Sequence, residues 1–281
     1  MSLDKLNLTI FEPVDRSLME DIGIIVEDPH RSRIYKYFVD LGNCQVMWHP
    51  HKYGPSQNEK IGYTKIDFSP KHFPSFSELE ATLRQFFPNG GYQGSLNRFE
   101  VSRIDIKSDI EDLPIPIVLA RVFKSGLRAT SFSFFKGTIY MGINPRFRIY
   151  DKTEEIKARK RKDRYGTTLL PHEVEILESK KQLTRFEVMI KRPMFSLDQL
   201  LSKESYLLNH FKKLTFYDFE DAKQISQIGG LQLLFTFFRR EKRKILEVYK
   251  SSQMANEIEN NFLTGFRSWM APNPNINEVP F

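Results

Sequence analysis

The segment Gln182-Leu-Thr-Arg-Phe-Glu-Val-Met-Ile-Lys-Arg-Pro-Met-Phe195 decides the fold. Its apolar residues predict a strand over 183–191, and Pro193 predicts a turn after it. Glu187 sits in the middle of that strand, between Phe186 and Val188, where an unpaired carboxylate is costly to bury. It therefore needs a metal ion or a basic side chain as its partner.

Two earlier segments share this pattern of an apolar strand with an acid at its centre. They are Tyr63–Phe68, which carries Asp67, and Val101–Ile106, which carries Asp105. With the strand of Glu187, they predict carboxylates that converge on one divalent ion, Mn²⁺ or Mg²⁺, because these hard cations prefer oxygen ligands. Such an ion acts as a Lewis acid on phosphate.

A second interpretation of the same pattern is a set of ion pairs. Each acid follows a basic residue by two positions, which places both side chains on the same face of a strand. The bases are Lys65, Arg103 and Arg185. Spacing alone leaves the metal site and the ion pairs equally open.

Composition favours a polyanionic partner. The chain of 281 residues has a net charge of +7 and 24 Phe residues, which supply core and stacking surface. Cys44 is the only cysteine, so the sequence allows no internal disulfide and no cysteine zinc site. The longest apolar run, Leu231–Phe238, is too short to span a membrane. We expect a cytoplasmic protein with no membrane partner.

The order of elements predicts an α+β fold. A mixed, mostly antiparallel central sheet carries helices packed on it and is built from two related strand–helix halves. Residues 61–106 form one strand–helix–strand unit, with a helix over 76–87, and residues 114–123 are predicted as a helix. Residues 1–200 are predicted as the core, and residues 201–281 as a helical region. The resemblance described below implies that the first is nuclease-like and that the second recognises DNA.

Two basic segments are candidate contacts with the phosphate backbone of DNA. A solvated, charged helix is the alternative for each. The candidate residues are Lys157, Arg159, Lys160, Arg161 and Lys162 in the first segment, and Arg239, Arg240, Lys242 and Arg243 in the second.

A tyrosine hydroxyl is a candidate nucleophile if the protein transfers phosphoryl groups. Tyr140, Tyr150, Tyr206 and Tyr217 lie in the second half of the chain, and spacing does not distinguish them. The sequence contains no Walker loop, dinucleotide fingerprint, Gly-x-Ser-x-Gly elbow or His-Glu-x-x-His motif, which disfavours nucleotide-cofactor and common hydrolase classes.

Several motifs occur in an order that resembles rolling-circle replication initiators, namely staphylococcal-type plasmid initiators and the gene II proteins of filamentous phages. Some relaxases of conjugative elements share the fold family. The motifs are Lys65–Pro70, Val101–Ile110, Thr138–Ile143, Phe147–Lys152 and Leu183–Arg192. The resemblance covers roughly residues 60–200.

The resemblance implies a metal-dependent endonuclease that nicks one strand of origin DNA, single-stranded or hairpin, and becomes linked to the 5′ phosphate through tyrosine. The free 3′ hydroxyl then primes synthesis. It implies that Asp67, Asp105 and Glu187 bind Mn²⁺ or Mg²⁺, that Lys191 or Arg192 contacts phosphate, and that a host helicase is a partner. A homodimer is also an expectation.

The sequence departs from the family at the nucleophile. The family places a tyrosine a few residues after the strand that bears the glutamate, and here Phe195 stands at about that place. Three explanations are open: an introduced Tyr-to-Phe change, a nucleophile elsewhere such as Tyr206 or Tyr217, or a protein that binds DNA without nicking it. A relaxase and a non-catalytic replication-control protein are the alternative functions.

Overall fold

The computed structural model describes residues 2–28, 34–50, 63–87, 96–113, 119–122, 132–135, 137–162, 169–179, 181–217 and 252–271. At 119–122, 132–135, 161–162, 215–217 and 252 it describes the backbone alone. In this part of the chain, no helix is long and apolar enough to cross a membrane.

The described elements are twelve strands and six α-helices. The strands are β1 (Leu3–Ile10), β2 (Val26–Glu27), β3 (Tyr35–Asp40), β4 (Cys44–Pro50), β5 (Thr64–Phe68), β6 (Glu100–Glu111), β7 (Leu119–Val122), β8 (Phe132–Phe135), β9 (Thr138–Met141), β10 (Arg146–Asp151), β11 (Leu183–Lys191) and β12 (Leu214–Tyr217). The α-helices are α1 (Arg16–Ile22), α2 (Phe76–Phe86), α3 (Lys152–Lys162), α4 (Pro171–Glu178), α5 (Glu204–Phe211) and α6 (Ser252–Met270). The strands occur mainly in two consecutive runs, β2–β5 and β6–β10.

The strands form one sheet in the order β2-β3-β4-β5-β1-β6-β11-β10-β9-β8, and β12 pairs with β7 in a second, two-stranded sheet. Strand β1 runs antiparallel to both of its neighbours, β5 and β6. Strand β9 is likewise antiparallel to β10 and β8. The predicted α+β class, with a largely antiparallel sheet and packed helices, is confirmed.

The chain divides into two compact units, each assembled from separate segments. Residues 1–106, 189–205 and 263–281 belong to the first unit, and residues 107–188 and 206–262 belong to the second. The predicted division of function at residue 200 stays a prediction.

Alternation of side chains gives the first unit one apolar and one polar sheet face. Leu6, Leu8 and Ile10 of β1 are buried together with Ile66 of β5. Successive residues of a strand point to opposite faces, so Asn7 of β1 lies on the other side of the sheet. The apolar face carries the core, and the polar face carries the ionisable residues discussed below.

Helix α2 forms because its cap and its apolar spacing agree. The Ser75 hydroxyl caps the helix by accepting from the backbone N–H of Glu78 at 3.4 Å. Leu79, Leu83 and Phe86 follow at helical spacing, and all three are buried. The helix predicted over residues 76–87 is confirmed.

The C-terminal end of α6 is fixed to the first unit through Trp269. Its indole Nε1–H donates to the backbone oxygen of Phe73 at 2.9 Å. Its ring meets Phe76 edge-on, with ring centroids 5.6 Å apart. Because the indole is buried and its N–H has a partner, this contact contributes packing without an unsatisfied polar group.

The second unit has its own apolar core, built from the same alternation. Phe147 and Ile149 of β10 are buried, as are Phe186 and Val188 of β11. The intervening residues of both strands carry the charged groups of this unit. Alternation thus separates core from ionisable side chains here too.

Two secondary-structure predictions are wrong. Residues 114–123 were predicted as a helix, yet Leu119–Val122 is the strand β7. Residues 201–281 were predicted to be helical, and α5 and α6 are helices, yet Leu214–Tyr217 is the strand β12, which pairs with β7. The aromatic and β-branched content of Leu-Thr-Phe-Tyr favours a strand once a partner strand is present. The apolar spacing of residues 225–249 predicts a further helix, which lies outside the described residues.

The predicted internal repeat has a structural counterpart in the order of elements. Strand β5 runs through a 3₁₀ turn, Pro70–His72, into α2. Strand β11 runs through the 3₁₀ turns Leu197–Gln199 and Leu201–Lys203 into α5. Two of the three acid-bearing strands, β5 and β11, therefore lead through 3₁₀ turns to a helix.

We expect Trp269→Ala to lower the free energy of unfolding by about 4 kcal/mol, because it leaves a cavity among buried rings. Trp269→Phe retains a ring but loses the indole hydrogen bond, and should cost about 1 kcal/mol. Urea unfolding measures both. The control is Ser268→Ala, at an exposed position on the same helix, which should leave the unfolding midpoint unchanged. Equal midpoints for Trp269→Ala and Ser268→Ala would contradict this packing.

Candidate functional site

The polar face of the first unit brings Asp67 and Asp105 to neighbouring strands. Asn7 of β1 lies opposite Asp67 on one side and opposite Arg103 on the other. Lys5, two residues earlier, lies opposite Asp105. Directly opposite residues of an antiparallel pair project from the same face. These side chains therefore form one charged surface across β5, β1 and β6.

Both aspartates are paired with bases. Lys65 Nζ lies 3.0 Å from Asp67 Oδ1, and Lys5 Nζ lies 3.6 Å from Asp67 Oδ2. Arg103 binds Asp105 through two nitrogens, with its Nε 2.7 Å from Oδ1. The hydrogen bond to Asp105 raises the pKa of Arg103, against the opposing effect of burial. The ion-pair interpretation is confirmed for Lys65 and Arg103.

In the second unit, Glu187 projects from β11 and is 1% exposed. The guanidinium of Arg148 on β10 pairs with Glu187 Oε1. The hydroxyl of Tyr150, two residues further along β10, donates to Glu187 Oε2 at 3.2 Å. One buried carboxylate therefore holds an arginine on one oxygen and a phenol on the other.

The predicted partner of Glu187 is wrong. Arg185 was expected to pair with it, yet the Arg185 guanidinium reaches Asp109 instead, with its Nε 2.7 Å from Oδ1 and its Nη2 2.8 Å from Oδ2. A bidentate arginine–carboxylate pair is geometrically specific and strong. Because Arg185 pairs with Asp109 on β6, the side chains that contact Glu187 come from β10.

In the described residues, the carboxylates predicted to bind a metal ion are paired with bases and are not grouped around one site. No group of three or more His, Cys, Asp or Glu in the described ranges is placed to hold a metal. Asp67, Asp105 and Glu187 each engage a cationic side chain instead. Mg²⁺ requires near-octahedral oxygen ligands at about 2.1 Å, so these carboxylates would have to exchange their bases for the ion. Metal binding by these residues stays a prediction.

The side chain at the family's nucleophile position faces the core. Phe195 is 6% exposed, and its backbone oxygen accepts from Val101 N–H at 3.0 Å. The preceding residue, Met194, is 90% exposed and has a φ of 62°, in the left-handed region that non-glycine residues rarely adopt. Arg192 has a φ of 49°. The turn thus projects Met194 outward and Phe195 inward, while Lys191 and Arg192 are exposed.

Tyr206, the other predicted catalytic residue, lies on α5 and is 38% exposed. Its ring meets His210 edge-on at 5.1 Å between centroids. Burial raises the pKa of Tyr206, which opposes formation of the phenolate that attacks phosphorus. The side chain of Tyr217 lies outside the described residues.

The first basic segment is partly neutralised within its own unit. Lys157 Nζ lies 2.8 Å from Glu154, and Arg159 Nη2 lies 2.6 Å from the buried Glu173. Lys160 is exposed. The side chains of Arg161 and Lys162, and all of Arg239, Arg240, Lys242 and Arg243, lie outside the described residues, so their DNA contacts stay predictions.

The β9–β10 hairpin holds functional candidates that sequence reasoning missed or left undistinguished. Arg148 lies directly opposite Tyr140, and the guanidinium of Arg146 lies 4.6 Å from the Tyr140 ring centroid. Arg146, Arg148 and Tyr150 alternate along β10 and therefore share a face. The spacing of two residues between them was the sequence signal that could have identified this shared face.

Comparison of the chain with protein-family models and with curated proteins finds no match. The resemblance to replication initiators therefore depends on the motifs themselves. Four of those motifs lie on β6, β9, β10 and β11 in the structure, with Lys65–Phe68 on β5.

The Arg103–Asp105 pair gives a stability prediction. We expect Arg103→Leu to destabilise the protein by about 3 kcal/mol, because it removes the arginine partner of a buried carboxylate. Arg103→Leu combined with Asp105→Leu should recover much of that loss. Urea unfolding measures both variants. The control is Lys181→Leu, which removes an exposed partner of Glu111 and should leave the unfolding midpoint unchanged. A double variant less stable than Arg103→Leu alone would contradict the pairing.

His210 gives a pH prediction. Burial, and secondarily the charge of Lys213, lowers the pKa of His210 from 6.5 to about 4. Between these values the unfolded chain binds the extra proton, so His210 makes the free energy of unfolding fall as pH drops from 6.5 towards 4.

The His210→Phe variant should lose this contribution. Its stability relative to the unmodified protein should increase as the pH falls from 7 to 4.5, as measured by urea unfolding at each pH. His172→Phe, at an exposed position, is the matched control and should show no such trend. A constant difference between His210→Phe and the unmodified protein would contradict the lowered pKa.

Proposed function

We propose that the protein nicks one strand of origin DNA by transesterification through a tyrosine and so starts rolling-circle replication. The observation that carries this proposal is the buried Glu187 carboxylate with Arg148 and the Tyr150 hydroxyl on its two oxygens. A phenol, a buried base and an arginine within one contact network are the groups that phosphoryl transfer to tyrosine requires.

The surroundings of Glu187 suit a nucleic-acid strand. The side chain of Arg148 is 33% exposed, so a phosphate can reach its guanidinium. The stacked pair of Arg146 and Tyr140 lies on the same hairpin, and aromatic rings beside cations bind single-stranded DNA through stacking and charge. In the first unit, exposed Lys191 and Arg192 are separate candidate phosphate contacts. The net charge of +7 favours the same partner.

The ordered motifs support the assignment to initiators. Each acid-bearing motif forms a strand, as the resemblance implies. Mn²⁺ or Mg²⁺ enters the proposal as a requirement only, and no step is routed through the ion, because the carboxylates predicted to hold it are engaged by bases. A metal requirement, a helicase partner, a homodimer and a cytoplasmic location remain further parts of the proposal. A relaxase of a conjugative element would use the same chemistry.

A non-catalytic replication-control protein is the second candidate. The observation that favours it is Phe195, which lies in the core and has no hydroxyl. This candidate predicts salt-sensitive DNA binding without strand cleavage. The two candidates therefore differ in one product, a covalent complex between the protein and DNA.

The test is to incubate the protein with a random-sequence library of single-stranded and hairpin DNA, with Mn²⁺ or with EDTA. Complexes that survive boiling in detergent are isolated and their DNA ends sequenced. We expect a covalent complex with a defined cleavage sequence, and at least about a 100-fold loss in Glu187→Gln, which removes the base.

Glu178→Gln, the same change at an exposed position of α4, is the matched control and should leave the yield unchanged. The EDTA arm measures the metal requirement. Salt-sensitive binding with no covalent complex in either arm would overturn the nicking activity and favour the non-catalytic protein.

A further inference from the structure

We propose that the loop end of the β9–β10 hairpin unstacks the bound DNA: Ile143 inserts between two bases, and the Arg146–Tyr140 pair holds the base that is released. The inference rests on DNA binding, the part of the proposed function that the nicking protein and the non-catalytic protein share. It assigns a ligand, one unpaired nucleotide, to hairpin residues that take no part in the strand-transfer chemistry.

The first observation is an aliphatic side chain at the end of the hairpin. Strands β9 and β10 are paired as far as Met141 and Phe147, and the connection between the strands contains Ile143. Ile143 is 80% exposed, whereas Met141 and Phe147 are buried. The core therefore anchors the strands that support this exposed residue. Proteins that unstack DNA insert apolar side chains, isoleucine among them, between base steps.

The backbone explains why Ile143 points outward. Continued alternation along β9 would place Ile143 on the same face as Met141, which is buried. Gly142 ends this alternation with a φ of 75°, in the left-handed region that glycine adopts without steric cost. The turn thus directs an apolar residue into solvent directly after the last buried residue of the strand.

The second observation is a cation on an aromatic ring beside this loop. The guanidinium carbon of Arg146 lies 4.6 Å from the ring centroid of Tyr140. Arg146 is exposed, and Tyr140 is partly exposed. Residues 138–150 contain two arginines and no acidic residue, so the hairpin carries positive charge without a neutralising group of its own. This charge is complementary to a phosphate backbone.

A comparison within the protein distinguishes this pair from a structural contact. The guanidinium carbon of Arg16 lies 5.3 Å from the ring centroid of Tyr37, but Arg16 also donates to Glu20 at 2.8 Å. Within the described ranges, no carboxylate forms an ion pair with Arg146. The N–H groups of Arg146 are therefore available to a ligand.

The two observations fit one ligand, an unpaired nucleotide of a DNA strand. A base stacks on an arginine guanidinium or an aromatic ring, because every base has a π face. The guanidinium of Arg146, supported by Tyr140, provides such a surface, and its N–H groups bind phosphate. Ile143 fills the gap that the released base leaves in the stack.

The first test measures base unstacking in EDTA, independently of strand cleavage. The probe is a DNA hairpin with a single-stranded 3′ extension, in which 2-aminopurine replaces one base at a time on both sides of the junction. The fluorescence of 2-aminopurine rises when it leaves the base stack. We expect the unmodified protein to cause this rise at one position near the junction, and Ile143→Ser to abolish it at saturating protein concentration.

Ile24→Ser is the matched control, because Ile24 is 86% exposed and lies in the other unit. It should retain the full rise in fluorescence. Circular dichroism and urea unfolding verify that both variants are folded.

The second test separates stacking from charge. Arg146→Lys keeps the positive charge but lacks the planar group, so it should weaken binding of the same probe about 10-fold. The dependence of binding on salt concentration should stay unchanged, because the charge is retained. Fluorescence anisotropy at several salt concentrations measures both quantities. Arg16→Lys, which alters the other arginine on a tyrosine ring, is the matched control and should bind like the unmodified protein.

Failure of this inference and failure of nicking give different results. No rise at any position, a rise that Ile143→Ser retains, or unchanged affinity in Arg146→Lys would overturn the inference and leave nicking intact. Unstacking that requires Ile143, by a protein that forms no covalent complex, would support the inference and overturn only nicking. No binding of the unmodified protein to this probe or to the DNA library would overturn both.

Discussion

A carboxylate buried in a sheet is stable only beside a cation or a hydrogen-bond donor, and this constraint governs both polar faces of the protein. Asp105 and Glu187 are almost fully buried, and each has an arginine partner. Replacing such pairs with apolar residues often leaves stability unchanged or improves it. Stability alone therefore does not require such pairs at mid-strand positions.

The sequence predicted the strands well because their alternation is local. The acid-bearing strands are central examples, since apolar residues on one face and charged residues on the other define both the strand and its orientation. The partners of Asp67 and Asp105 were predictable for the same reason, because Lys65 and Arg103 lie on the same strand two residues earlier.

The partners of Glu187 were not predictable in this way. Arg148 and Tyr150 come from a neighbouring strand, and strand order is set by the whole fold rather than by spacing along the chain. Arg185 has the same spacing as the other two bases, yet the cross-strand Asp109 captures it. The orientation of Phe195 was likewise hidden, because it depends on the left-handed backbone of the preceding turn. Residues 114–123 were misassigned because β7 forms by pairing with the distant β12.

The proposed function rests on the contacts of Glu187 with Arg148 and Tyr150, in a chain that carries initiator-like motifs. The most direct measurement is a structure of the protein with a single-stranded oligonucleotide in which a methylene group replaces the scissile O3′ atom. The account predicts the scissile phosphorus within roughly 3.5 Å of Tyr150 Oη, with Arg148 on its oxygens. A phosphorus that lies beside another hydroxyl, or DNA bound away from the face of β10, would contradict it.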